Sequence, residues 1–124
     1  VRAIMEGVSM AIKDSVSIFE ELGIQGKKFI FAGGGAKSLL WRLILSSFLE
    51  HPLQSTKVKE EAATGAAILA MVGSGHFQSF NEAAQQMIRY DSPVNPQNQW
   101  FEIYREKYQT YRSLYPALKP FFPQ

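Results

Sequence analysis

One stretch constrains this chain more than any other: Phe29-Ile-Phe-Ala-Gly-Gly-Gly-Ala-Lys-Ser38. Phe29–Ala32 is too short and too continuously apolar for a helix and reads as a buried strand, interior and parallel. Three glycines then make a tight turn. Ser38 is placed to cap a helix whose apolar residues, Leu40, Trp41, Ile44, Leu45, Phe48 and Leu49, step mostly by three and four. Such a unit suits an anion, because free N–H groups and the helix dipole converge at the turn. Adjacent glycines also let a ligand lie directly on the backbone, since no Cβ intervenes. The plain alternative is a sharp strand-to-helix corner, and the stretch by itself leaves both open. Two common phosphate loops do not fit. A P-loop needs G-x-x-x-x-G-K-[ST], and Lys37-Ser38 lacks the upstream glycine at that spacing. The dinucleotide fingerprint is half met by Gly33-x-Gly35, but Ser38 stands where its third glycine belongs.

The flanking sequence supplies the layers around this unit. Val1 to Leu22 has apolar residues at Ile4, Met5, Val8, Ile12, Val16, Phe19 and Leu22, a helical period closed by Gly23. After His51-Pro52, Leu53–Val58 alternates loosely as a second strand. Glu60-Glu61 opens a third helix that runs to Val72 and ends at Gly73-Ser-Gly75. Gly65 inside it costs about 1 kcal/mol relative to Ala, which predicts close approach of a backbone or a ligand. Ser79 and Glu82 form a capping box for a short helix to about Ile88. Asp91–Pro96 is a loop, from which Asn95 caps a last helix with Pro96 at its first position. Trp100, Tyr104, Tyr108, Tyr111 and Tyr115 form an aromatic stripe on that helix, read as a docking face. Pro116 is expected to end the helix, with Pro120 and Pro123 keeping the tail irregular. The order of elements indicates an α/β layer, helix-rich with a short parallel sheet.

Composition removes several classes of function. There are no cysteines, so disulfides, thiolate metal sites and cysteine nucleophiles are excluded. A net charge of +2 gives no case for a nucleic-acid or anionic-membrane surface. No apolar run approaches the ~18 residues of a membrane span, and a cytoplasmic location is the expectation. His51 and His76 have no carboxylate or histidine at ligand spacing, so a metal site is not expected. Glu60 and Glu61 point in different directions on a helix and read as complements to its dipole. Lys37 either reaches a phosphate or stays solvated. The first residues lie mid-pattern in a helix, so the chain is expected to be a piece of a longer one.

Three ordered segments then resemble a known family. Gly33-Gly-Gly-Ala-Lys-Ser-Leu-Leu-Trp41, Glu60-Glu-Ala-Ala-Thr-Gly-Ala-Ala-Ile-Leu-Ala70 and Gly73-Ser-Gly-His-Phe77 resemble the C-terminal part of the FGGY carbohydrate kinases, most like the xylulokinase branch. The tail from Tyr104 to Leu118 is similar to the last helix of that family. The resemblance implies part of the second domain of an actin, Hsp70 and hexokinase-like (ribonuclease H-like) fold over residues 1–124. It implies that Gly33, Gly34, Gly35, Ala36 and Ser38 contact the ADP moiety of ATP, with Gly34 and Ser38 foremost and Gly65 close behind. ATP or ADP with Mg²⁺ is the implied cofactor. A sugar is the implied substrate, a pentulose such as xylulose first and gluconate or another sugar acid second. The family's catalytic Asp has no counterpart here: Asp14 lies on the first helix and Asp91 in a loop, so no catalytic residue is assigned. An N-terminal kinase domain is the implied missing partner. The chain also departs from the family pattern, with Ser46-Ser47 where an Ala-Asp pair is usual and His51 where a small residue precedes the proline. Two rival readings stand beside this one. In one, the chain is an interaction module whose apolar faces pair in a homodimer. In the other it is a dinucleotide-binding domain, which requires NAD to bind better than ADP.

Overall fold

The structure, a computed structural model, describes residues 1–58 and 60–122. Its elements are α1 (Arg2–Glu21), β1 (Phe29–Phe31), α2 (Leu39–Leu49), β2 (Leu53–Ser55), α3 (Glu61–Gly73), α4 (Phe80–Met87) and α5 (Phe101–Leu118). Short 3-10 turns lie at Gly34–Lys37, Asn98–Trp100 and Lys119–Phe121.

The molecule is assembled around α2, whose residues from Ile44 to Leu49 are all buried. A helix can be buried on most of its surface only if different faces meet different partners. Ile44 and Phe48 pack on Tyr104 of α5, with Met5, Met10, Trp100 and Tyr108 around them. The Phe48 and Tyr104 rings stack with centroids 4.0 Å apart. Leu45 and Leu49 face Leu53 of β2, with Ile12, Val16, Phe29, Phe31 and Trp41 against them. Residues of α1 thus contribute to both clusters. Each buried Leu, Ile or Phe contributes about 1.5–3 kcal/mol relative to exposure.

The buried serines of α2 satisfy themselves locally. Ser46 and Ser47 both donate to the Leu43 carbonyl, at 3.0 and 2.6 Å. The Ser47 hydroxyl also accepts from the Gln97 N–H at 2.9 Å, which ties the segment before α5 to α2.

The signals at the end of the first helix and the start of the fourth hold. Gly23 adopts φ +77°, and the Ile24 and Gly23 amides donate back to Phe19 and Glu20 at 2.9 and 3.0 Å, a glycine-terminated helix end. Ser79 accepts from the Glu82 N–H at 3.2 Å. The Glu82 carboxylate reaches one residue further back than a standard capping box and accepts from the Gln78 N–H at 2.9 Å.

Five expectations are corrected. The first strand is parallel, with Phe29 opposite Leu53 and Phe31 opposite Ser55, but it is not interior. It pairs with β2 alone among the described residues, and Ile30 is 44% exposed. The second strand stops at Ser55 rather than Val58. The segment read as a loop instead lies antiparallel along β2: Leu53 and Val94 exchange both backbone bonds at 3.0 and 2.8 Å, and Lys57 N–H donates to the Arg89 carbonyl at 2.8 Å. Backbone groups on the open edge of β2 need partners, and this segment supplies them. The last helix begins at Phe101 after a 3-10 turn, not at Asn95-Pro96. It also runs through Pro116 to Leu118, because a proline in the final turn removes only one bond, and Lys119 N–H still reaches the Tyr115 carbonyl. Pro120 falls in the 3-10 turn that follows, and Pro123 lies outside the described residues. No helix among the described residues is long and apolar enough to cross a membrane.

Candidate functional site

Three glycines turn the chain from β1 into α2, and their surroundings differ. Gly33 has φ 85° and ψ −171°, a conformation that only glycine adopts at low cost. Gly35 is pinned by packing: a Cβ there would lie 2.9 Å from the Trp41 ring and 3.0 Å from that of Phe31. Gly34 has neither constraint. Its φ is not in the left-handed region and nothing lies within 4 Å of where a Cβ would stand. Its bare backbone is open to a ligand. The chain then tightens through Ala36 N–H to Gly33 O and Ser38 N–H to Gly35 O, both at 3.1 Å. Ser38 caps α2 as expected, its hydroxyl accepting from the Trp41 N–H at 3.3 Å.

This corner borders a groove of about 800 Å³, within the range of small-molecule sites. Gly33, Gly34, Ala36 and Lys37 line it together with Thr56, Lys57, Val58, Glu60 and Glu61. Gly35 and Ser38 are not among its described lining residues. Of the five expected contacts, the structure therefore brings Gly33, Gly34 and Ala36 to the groove, while Gly35 and Ser38 support the turn.

Arg42, Ser55 and Asp91 also line the groove and were not singled out as a group from the sequence. Arg42 Nη1 donates to Ser55 Oγ at 2.9 Å, and Ser55 Oγ donates to Asp91 Oδ2 at 3.0 Å. The Arg42 Nε is buried with no partner among the described residues. Its one local signal is a charge inside an otherwise apolar helical run. Lys37, Arg42 and Lys57 thus face Glu60, Glu61 and Asp91 around the groove.

Glu61 makes the most informative contact. Its Oε1 accepts the Gly33 N–H at 3.0 Å across 28 positions of sequence. That bond holds the Glu61 carboxyl below the usual carboxylate range, as does the bond from its own N–H, with the Lys37 charge adding to the effect. One donor of the expected anion site is therefore already engaged. Beyond Glu61 lies a second, mainly apolar slot of about 260 Å³ bordered by Ile30, Ala32, Ile68, Ile88 and Tyr90. Thr56, Val58 and Glu61 border both spaces. Gly65 lies on this slot, and no atom comes within 4 Å of where its Cβ would stand. Among the described residues no backbone makes the close approach that was one of the two explanations for Gly65.

The remaining polar candidates have local duties. Asp14 accepts from the Tyr108 hydroxyl at 2.8 Å. His51 packs on Phe29, ring centroids 5.3 Å apart, and His76 on Phe77 at 4.8 Å. Among the described residues no three His, Cys, Asp or Glu side chains are grouped to hold a metal.

Residues 1–74 match the FGGY family of carbohydrate kinases, C-terminal domain. This chain belongs to the FGGY family of carbohydrate kinases. A xylulose kinase of Staphylococcus epidermidis is 30% identical over 118 residues, 95% of this chain and 24% of that protein. An autoinducer-2 kinase of Photorhabdus laumondii is 32% identical over 87% of this chain and 20% of its own length. The crystal structure of xylulose kinase from Rhodospirillum rubrum superposes with a TM-score of 0.83 at 28% identity, covering 97% of this chain and 24% of that one. This FGGY chain thus spans about a quarter of the length of the relatives it matches, and its fold is the actin and hexokinase-like fold of those kinases.

Proposed function

We propose that this chain is the adenosine-binding, C-terminal portion of the second domain of an ATP-dependent sugar kinase. The observation that carries the reading is the open backbone at Gly34 on a groove of about 800 Å³ that adjoins an apolar slot. The slot suits a flat base, and the groove, with Lys37, Lys57 and Arg42 on it, suits phosphates. Mg²⁺ typically enters such sites on the substrate's phosphates, with few protein ligands. In the intact enzyme the γ-phosphoryl group of ATP passes to a sugar hydroxyl, chemistry that depends on positioning and charge neutralisation. A pentulose of the xylulose type is the first choice of acceptor, because the xylulose kinases match over more of this chain than the autoinducer-2 kinase does. A sugar acid such as gluconate is the second.

Titration with ADP tests this directly. Amide shifts are expected at Gly33–Ser38 and near Gly65, with NAD no better than ADP. The 124-residue chain lacks a catalytic Asp at the family's position, so it is expected to release no ADP in the presence of ATP and xylulose. Release that depends on xylulose would overturn the assignment of the catalytic base to the missing domain.

A second reading has its own observation. Ile4 and Val8 are 72 and 41% exposed along one face of α1, with Val1 exposed at its N-cap, an apolar stripe of the kind that marks an interface. If it serves a homodimer of this chain, sedimentation will show concentration-dependent association that Ile4→Glu abolishes. A monomer at all concentrations leaves that face to the missing N-terminal domain.

A further inference from the structure

The first residue of α3 carries a carboxylate, which suits the positive end of the helix dipole. Yet Glu61 does not turn back onto its own helix alone. Its Oε1 crosses to the glycine corner and takes the Gly33 N–H at 3.0 Å. Two consequences follow from ordinary electrostatics. A phosphate oxygen brought to the Gly33 N–H would meet a carboxylate already seated there, and like charges at that distance repel. Phosphates are therefore directed along the groove toward Gly34, Lys37 and Lys57. Second, anchoring one oxygen orients the other. A carboxylate offers about four lone-pair sites, and the Gly33 N–H and its own N–H are the donors that reach Glu61 among the described residues, so it keeps acceptor capacity to spare. Glu61 also borders both the polar groove and the apolar slot. A ligand that spans the two spaces presents its nucleoside part there, and the complement to an oriented carboxylate is an uncharged N–H or O–H donor.

We propose that Glu61 is a specificity residue that reads a hydrogen-bond donor on the nucleoside and turns phosphate away from Gly33. This rests on the nucleotide reading above. The donor is a ribose hydroxyl or the amino group of the base, and the two are separable by ligand choice.

The test compares the wild-type chain with Glu61→Gln by amide-shift titration against adenosine, ADP, 2′-deoxyadenosine, inosine and inorganic pyrophosphate. Glu61 is exposed, so the variant is expected to keep its spectrum away from the groove. Adenosine and ADP should weaken together by about tenfold or more, the loss of one hydrogen bond to a charged group. Pyrophosphate should bind the variant as well as or better than the wild type. If the ribose 2′-hydroxyl is the donor, 2′-deoxyadenosine will already be weak and indifferent to the substitution; if the base amino group is, inosine will be; and if the 3′-hydroxyl is, both will respond to the substitution as adenosine does. Unchanged adenosine binding in the variant overturns the proposal and leaves the nucleotide reading standing. Equal weakening of adenosine and pyrophosphate also overturns it, since that marks a structural role. No adenosine or ADP response in the wild type removes the nucleotide reading itself.

Discussion

At the scale of single residues, the three adjacent glycines separate cleanly into conformation, access and packing. Gly33→Ala forces a side chain into a region reserved for glycine and should cost about 1–3 kcal/mol. Gly35→Ala drives a methyl into the Trp41 and Phe31 rings, an overpacking cost of about 1–3 kcal/mol. Gly34→Ala meets nothing, so its melting temperature should stay near that of the wild type while ADP binding falls. Thermal melts paired with titration check all three, and a Gly34→Ala protein that binds ADP normally would remove Gly34 from the site. The sequence marked these glycines because strand, turn and helix cap are all local patterns. It could not tell them apart, because what distinguishes Gly35 is a ring six positions away in the next helix. The Arg42–Ser55–Asp91 chain had no local signature beyond a lone charge in the apolar run of α2. Its links span 13 and 36 positions and exist only once β2 and the segment beyond α4 are side by side.

At the scale of elements, α5 docks on α1 and α2 through aromatic rings whose hydroxyls meet buried charge. Glu6 of α1 accepts from Arg2 at 2.9 Å, Tyr104 at 3.1 Å and Lys107 at 2.8 Å. Burial works to raise the Glu6 carboxyl, but the hydrogen bonds from Lys107, Arg2 and Tyr104 outweigh it and hold it below the usual range. A depressed folded-state pKa means stability that is present above the unfolded value of about 4.3 and lost as pH falls through the folded value. Denaturant midpoints should therefore drop below about pH 4. Glu6→Gln should flatten the Glu6 share of that drop while lowering stability at neutral pH by about 1–3 kcal/mol. An acid profile identical in the two proteins would show that Glu6 carries none of it. Tyr104→Phe keeps the stack on Phe48 but leaves Glu6 one donor short, and should cost about 1–2 kcal/mol. The aromatic stripe was legible as a docking face from its helical spacing. Its partners were not, since Glu6 and Tyr104 lie 98 positions apart.

For the whole molecule, burial is uneven. The α2 helix buries six consecutive residues, whereas Ile68 is the single buried residue described in α3 and Ala83 the single one in α4. Regions with few buried apolar contacts open first. Hydrogen exchange should therefore find α3 and α4 exchanging well before α2 and the parts of α1 and α5 packed on it, and ADP should slow exchange at the start of α3. Uniform protection across all five helices would contradict this. The α3 helix is composed almost wholly of small and apolar residues, yet Leu69 is 62% exposed, so composition by itself misplaces where the core lies.

What the sequence determined alone was everything encoded within about one helical turn or one tight corner. The five helices, their caps at Ser38 and Ser79, the glycine ends and the strand leading into Gly33 all follow from neighbouring residues, and with them the family resemblance. Only the tertiary structure decided which groups meet across the chain. It left β1 at a sheet edge among the described residues, laid the 89–94 segment on β2, ran α5 through Pro116, and brought the Glu61 carboxylate onto the Gly33 amide. The reason is physical: local conformation depends on adjacent side chains and backbone sterics, whereas hydrogen bonds and packing between distant segments depend on how whole elements satisfy one another's exposed faces and edges.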